Sequence, residues 1–428
     1  QTTESKGTVT TTVTGPLGAK LVEVQTWRRA DKKIACKVGG PLKMLFQDKV
    51  DAFLAVINNL KIIAEVDGRN VYNLYSPPLP STAGMRPLER KLRTMAEGIV
   101  FPAAATLSIT PSCHCRCVNC LADRFISPDK NELTLEEMFS VIDQAADLGA
   151  CSMIFTGGEP LWRSEVFDMI AHVDKGRAHV LICTNGLMLT EKNVAKLKEA
   201  GLGALNISID SADPKTHDSL RQVPGCFTKA MVGARRAREA GILTGITTYA
   251  GHDAVASGGL RRILQMAQDK GFDEVTIFDC LPTGKFRASP EAILGRNDIK
   301  RIRDLADKYN AMDHPMGITA QGNVNAYDGG RCFGAFSQFY MTCYGDITPC
   351  DFNPITFGNV REEMLETIWR KMVTRPEFGP QSQSCRMQSA KYRKKYIECI
   401  SDDEQLPVRI DRLPGDGRLL PRKLSSNS

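Results

Sequence analysis

Between residues 103 and 310 the chain alternates short apolar runs with longer segments of helical periodicity. The apolar runs fall at 104–109, 151–155, 178–183, 204–209, 242–249 and 274–279, and each is the length of a buried strand. Between and after them, residues 134–148, 164–174, 190–200, 227–240, 257–271 and 297–310 repeat apolar positions at helical spacing. Thr134 with Glu137 forms a capping box at the start of the first helix. Repeated strand–helix units predict a parallel sheet with right-handed crossovers. The pattern alone allows a partial barrel, a full barrel or an open doubly wound sheet.

The first hundred residues read differently. Thr8–Val13, Lys20–Trp27 and Lys33–Val38 alternate as strands do. Pro41 through Leu60 places Leu42, Phe46, Val50, Phe53, Leu54 and Ile57 at helical spacing. Asp67-Gly68-Arg69-Asn70 separates two short β-prone runs and predicts a hairpin. The stiff linker Ser76-Pro-Pro-Leu-Pro-Ser-Thr precedes a basic helix from about Arg86 to Gly98. The expected organisation is an N-terminal α+β region over 1–100, open to a substrate or a partner, and a barrel over 101–315. A cysteine-bearing domain over 316–400 and an arm and tail over 401–428 follow.

Composition adds little: 42% hydrophobic, 24% charged and a net charge of +6 describe an ordinary globular chain with no nucleic-acid partner expected. No run of about 18 apolar residues predicts a membrane span. The start, Gln1-Thr-Thr-Glu, carries no charged-then-apolar secretory pattern, so a cytoplasmic location is expected. Fourteen cysteines in a chain this long suggest metal ligation in a reducing compartment.

The chemistry concentrates at the strand ends. After the first barrel strand come Cys113-His-Cys-Arg-Cys-Val-Asn-Cys120, four cysteines in eight residues. Cys113, Cys117 and Cys120 have the spacing C-x3-C-x2-C, and Cys115 is a spare outside that frame. Thiolates suit an iron–sulfur cluster or zinc. Three ligands to a four-iron cubane leave one iron open. After the second strand, Thr156-Gly157-Gly158-Glu159-Pro160 exposes backbone groups beside a carboxylate able to receive an ammonium. Thr184-Asn185-Gly186 and Ser208-Ile209-Asp210-Ser211 end the next two strands with short polar side chains that suit a ribose or an amino acid. Arg221 is open to a carboxylate, a phosphate or the solvent.

This cysteine spacing, with the strand-end series behind it, resembles the radical S-adenosylmethionine superfamily. The resemblance covers about residues 105–400 and implies a partial (β/α)6 TIM-like barrel, with Cys113, Cys117 and Cys120 holding a [4Fe–4S] cluster. Its open iron would chelate S-adenosylmethionine, whose cleavage yields a 5′-deoxyadenosyl radical. Gly157, Gly158, Glu159, Asn185, Ser208 and Asp210 would surround that cofactor. Where the family usually has an aromatic residue before the third cysteine, this chain has Asn119. A reductase such as flavodoxin or ferredoxin is implied as partner.

Tyr344-Gly-Asp-Ile-Thr-Pro-Cys350-Asp and Gly358-Asn359 resemble the family's auxiliary-cluster extensions, named SPASM in the long form and twitch in the short. One auxiliary [4Fe–4S] cluster on Cys332, Cys350 and Cys385 is implied, with Cys343, Cys399 or a non-cysteine group as fourth ligand. The long form's C-x2-C-x5-C-x3-C run is absent. The substrate is expected to be a peptide or a small molecule: the extension and the N-terminal region favour a peptide, and the helix leading into Val100-Phe101-Pro102 favours a lipid or metabolite. Oxidation of a serine or cysteine is another fit. The rival readings are a zinc- or cluster-bearing binding protein and a pure electron carrier. Tyr249, Asp279, Cys280 and Arg331 fall near predicted strand ends or the domain junction.

Overall fold

The computed structural model describes residues 2–14, 18–286, 289–320, 332–378, 382 and 385–413; Arg331 and the tail beyond 413 lie outside them. Strands β1 (Thr2–Ser5), β2 (Thr8–Thr14), β3 (Lys20–Arg28) and β4 (Ile34–Gly39) form an antiparallel sheet in that order. Helix α1 (Lys43–Ile57) covers one face, burying Phe46 and Val50 against Val22 and Val24. The hairpin β5 (Ala64–Val66) and β6 (Arg69–Val71) turns at Asp67-Gly68, where both residues have positive φ. Helix α2 (Thr82–Glu97) starts where the Ser81 hydroxyl accepts from Gly84 N–H at 2.9 Å and ends at a left-handed Gly98. β1 and the early start of α2 had no distinct hydrophobic signal.

The barrel follows as β7 (Ala104–Ser108), α3 (Leu135–Leu148), β8 (Ser152–Thr156), α4 (Val166–His172), β9 (His179–Thr184), α5 (Glu191–Glu199), β10 (Ala204–Ser208), α6 (Pro214–Arg221), α7 (Cys226–Glu239), β11 (Leu243–Ala250), α8 (His252–Ala256), α9 (Gly259–Asp269), β12 (Glu274–Asp279), α10 (Arg296–Asn310) and β13 (Gly317–Ala320). All six expected strands and all six expected helices are present. Capping by Thr134 is reciprocal, with its hydroxyl accepting from Glu137 N–H and Glu137 accepting from Thr134 N–H at 2.8 Å. Met138, Val141, Ile142, Ala145 and Leu148 then bury one face of α3.

The parallel sheet is larger than six strands. β13 adds to β12, and β14 (Gln338–Met341) pairs parallel with β7 on the other side. Strand order runs β13-β12-β11-β10-β9-β8-β7-β14 and continues antiparallel into β15 (Asp346–Thr348) and beyond β16 (Ile355–Thr356) into β17 (Gly358–Asn359). The cysteine-bearing segment is thus hydrogen-bonded to the barrel wall. It closes with α11 (Leu365–Val373), α12 (Ala390–Tyr396) and β18 (Val408–Arg409), which pairs with β16. Trp369 of α11 is fully buried and its indole N–H donates to the Val100 carbonyl at 2.8 Å. Four-residue strands with one polar neighbour each, such as β13 and β14, carry too little periodicity to be read in isolation.

At the base of the barrel His179 Nε2 lies 3.0 Å from the Leu74 carbonyl, and burial pushes its imidazole down to about 4. A histidine depressed below its unfolded value contributes stability that is present above about pH 6.5 and is lost as pH falls toward about 4. In an NMR titration the His179 ring is expected to stay neutral down to about pH 4; an inflection near 6.5 would show that the Leu74 loop is not seated on it.

Candidate active site

The cysteine loop leaves β7 at its C-terminal end, where parallel α/β barrels place their chemistry. Its backbone is tied on two sides. Arg116 and Val118 N–H donate to the Arg221 and Leu220 carbonyls at the end of α6, and Lys285 Nζ donates to the Cys117 carbonyl at 3.0 Å. Gly158 and Glu159 N–H donate to the Thr110 and Ser112 carbonyls at 2.8 and 2.7 Å. A side chain at Gly158 would place its Cβ 2.3 Å from the Ser112 carbonyl oxygen. The Gly-Gly pair therefore brings the loop after β8 against the cysteine loop.

Glu159 is fully buried, and its carboxylate accepts from Thr184 Oγ1 at 2.7 Å, Asn185 N–H at 2.8 Å and Leu161 N–H at 3.2 Å. Burial raises its pKa against these donors. The side chain expected to receive an ammonium thus braces the ends of β8 and β9. Asn185, placed by that brace, points Nδ2 at Cys113 Sγ, 3.7 Å away. Asp210 Oδ2 lies 2.8 Å from Arg221 Nη2, and Arg221 Nη1 donates to Cys117 Sγ at 3.5 Å. Ser208 ends β10 beside Thr247.

Charge sorts the thiols. A hydrogen bond from Cys115 outweighs burial and, with the Arg221 charge, brings the Cys117 thiol down to about 6. Cys113 is lowered by the same donor, whereas Cys115 is pushed up because it keeps its proton for both neighbours. Burial holds Cys120 at about 11. Ligation requires the thiolate, and Cys113 and Cys117 are shifted toward that form. Sequence reasoning missed Cys226, whose thiol a hydrogen bond with Cys115 and one with His217 bring to about 5. Arg221 is buried rather than solvated. Burial alone would lower it, but Asp210 and the Cys117 thiol keep it charged.

The site also has spare polar capacity. Among the described residues Asp210 Oδ2, although ion-paired, has no aligned donor and Arg221 Nε has no acceptor; both atoms are buried. A ligand carrying hydroxyl and carboxylate groups fits those two atoms. Cys113, Cys117 and Cys120, once deprotonated, would hold three irons of a cubane and leave one iron open.

Across the barrel mouth a second set converges. Burial raises the Cys350 thiol and pushes Cys385 up to about 12, and the neighbouring Cys332 adds to both. Arg386, the residue after Cys385, donates to Cys332 Sγ at 3.5 Å and to the Gly334 carbonyl at 3.1 Å. Asn359 Nδ2 holds the hairpin turn through the Tyr344 carbonyl at 2.9 Å and Asp346 Oδ1 at 3.0 Å. Cys343 is not part of this set: it lies against Ser108, Tyr344 and Glu132 on the barrel wall. The period-two alternation of β14 and its turn sends it to the other side. Cys399 faces the Lys395 carbonyl at the end of α12. Asp351, beside Cys350, is buried and pushed up to about 6. Among the described residues no three His, Cys, Asp or Glu side chains stand close enough for a single metal ion.

The end of β12 and the loop after it are joined to the C-terminal segment. Gln388 Nε2 donates to Asp279 Oδ2 at 2.9 Å, and Thr283 Oγ1 to the Phe352 carbonyl at 3.0 Å. Asp279 ends β12, is buried, and is raised by burial to about 7. Tyr249 accepts from Leu281 N–H and lies beside Cys280.

A partial barrel with three cysteines on the first strand-end loop and a second cysteine set in the C-terminal segment is an arrangement suited to iron–sulfur chemistry. The chain belongs to the radical SAM superfamily: that family's model matches residues 107–254, and an iron–sulfur cluster-binding domain matches 332–399. Its cofactors are a [4Fe–4S] cluster, S-adenosylmethionine and an auxiliary cluster. Curated relatives include the AdoMet-dependent heme synthases of Nitratidesulfovibrio vulgaris and Methanosarcina barkeri. They are 26% and 28% identical, over 70% of this chain in both cases and 87% and 91% of their own length. The Fe-coproporphyrin III synthase of M. barkeri is 32% identical over 50% of this chain and 53% of its own. Among solved structures, Streptococcus suis SuiB bound to precursor peptide SuiA aligns over 95% of this chain and 93% of its own, with a TM-score of 0.59 and 14% identity. At that identity the likeness is one of fold.

Breaking the Asp210–Arg221 pair leaves a buried charge without its partner. Arg221→Met is expected to destabilise the protein by about 3–5 kcal/mol, and adding Asp210→Leu to recover most of that loss, read from chemical unfolding of the single and double variants. Equal unfolding of Arg221→Met and wild type would mean that the pair carries no weight.

Proposed function

We propose that the chain performs oxidative radical chemistry on an iron-porphyrin-type tetrapyrrole bound in the barrel mouth, with Cys113, Cys117 and Cys120 holding the first cluster. Cys332, Cys350 and Cys385 hold the auxiliary one. Gly157, Gly158, Glu159, Asn185, Ser208 and Asp210 position S-adenosylmethionine, Glu159 by bracing the strand ends and Asp210 through its spare oxygen. With both bound, the site supplies a carbon radical that takes a hydrogen atom from an unactivated C–H bond. The observation that carries the substrate class is the match to heme synthases along 87% and 91% of their length. The chain's own residues support an oxidation: the two cysteine sets flank one mouth, so an electron released by the substrate has an acceptor across it. Asp279, poised by burial, offers a carboxylate between them.

A second reading, a peptide substrate, is favoured by the N-terminal sheet and α1. With them included, the fold of a peptide-bound enzyme aligns over 95% of the chain. A small electron-transfer protein is the reductant expected for either reading.

Anaerobically reconstituted protein is expected to carry about eight irons, and the Cys113, Cys117 and Cys120 triple alanine variant about four, with no 5′-deoxyadenosine formed. Loss of all iron in that variant would show that the second cysteine set holds no cluster of its own. With dithionite and S-adenosylmethionine, iron-coproporphyrin III is expected to raise 5′-deoxyadenosine above the substrate-free level and to change mass. If only peptides carrying serine or cysteine do so, the second reading replaces the first.

A further inference from the structure

A cavity of about 430 Å³ lies where the N-terminal sheet meets the barrel. It sits by the N-terminal end of β7, whereas the cysteine loop leaves the C-terminal end, so it is separate from the site described above. Its wall is mostly apolar: Val24 of β3, Val50 and Phe53 of α1, Met85 and Leu88 of α2, and Phe101. The volume falls within the usual range for small-ligand pockets.

Its polar lining is of one sign. Lys49, Arg90 and Lys91 line the cavity, and no Asp or Glu does so among the described residues. Arg90 is half-buried, and its Nη1 is buried with no acceptor among the described residues. A buried guanidinium N–H left without an acceptor is unfavourable. Apolar walls with cationic side chains among them fit a ligand that is apolar along its length and anionic at one end.

We propose that this cavity binds a small aliphatic monocarboxylate, its chain packed between α1 and α2 and its carboxylate on Arg90. Because β3 and α1 form one wall and α2 and Phe101 the other, such a ligand ties the N-terminal sheet to the barrel.

The test is calorimetric titration of the full-length protein with octanoate and, separately, with octan-1-ol. Octanoate is expected to bind one to one and at least about tenfold more tightly than the alcohol, the scale of one hydrogen bond to a charged group. Arg90→Leu is expected to abolish that difference by weakening octanoate alone, and Val50→Trp, which fills the cavity, to weaken both. Acetyl-Leu-Phe with a free carboxylate separates a chain end from a free acid: tighter binding of octanoate supports the proposal, and tighter binding of the dipeptide overturns it in favour of a peptide terminus. Equal affinity for octanoate and octanol, or no saturable binding of octanoate, overturns it without recourse to any variant.

Discussion

Everything at the barrel mouth hangs on a buried carboxylate. Glu159 sits in an apolar surrounding that would by itself neutralise it, and three donors from two neighbouring strand ends meet its oxygens. A buried polar group held this way has one low-energy arrangement, so it sets the relative height of the β8 and β9 loops. The cysteine loop then docks on that platform by backbone hydrogen bonds, at a distance only glycine at 158 permits. Asn185, the next residue in the brace, is thereby aimed at Cys113. Positioning of a reactive centre here comes from main-chain geometry rather than from side chains that touch it.

The two cysteine sets share an electrostatic device. Each has one buried arginine whose guanidinium donates to a thiol at 3.5 Å: Arg221 to Cys117 and Arg386 to Cys332. A cationic donor beside a sulfur favours the thiolate and offsets the negative charge a ligated cluster accumulates. The arginines are themselves anchored differently. Arg221 leans on Asp210, whereas Arg386 is held by backbone carbonyls of the segment it clamps. The first arginine is thus neutralised by a carboxylate, and the second is held by neutral carbonyls.

Much of this was legible before any coordinates. The six central strands and their helices follow from runs of buried residues, because a strand covered on both faces has nearly every position apolar. C-x3-C-x2-C, Gly-Gly-Glu and Gly-x4-Cys are short-range patterns whose geometry is local, and they landed on strand ends as expected. What was not legible is non-local. β14 contributes to the barrel wall from more than two hundred residues downstream of β7, and no local periodicity announces that partner. Cys343 has the same composition signal as Cys350 but lies on another face, since one short strand and its turn separate them. The burial of Arg221 depends on where α6 packs, which its helix-like but polar sequence does not specify.

The sequence by itself determined the chemistry that is available: which thiols exist, how they are spaced, and which strand ends carry glycine, amide and carboxylate groups. Those properties are local, being set by covalent spacing and backbone conformation. Only the tertiary structure decided which groups face one another. It turned Glu159 inward as a brace, paired Asp210 with Arg221, brought Cys332, Cys350 and Cys385 together, and lined an apolar seam with Lys49, Arg90 and Lys91. The physical reason is that burial and charge pairing are properties of surroundings assembled from distant segments, and the same side chain is a solvated surface group or a perturbed buried one according to which segments enclose it.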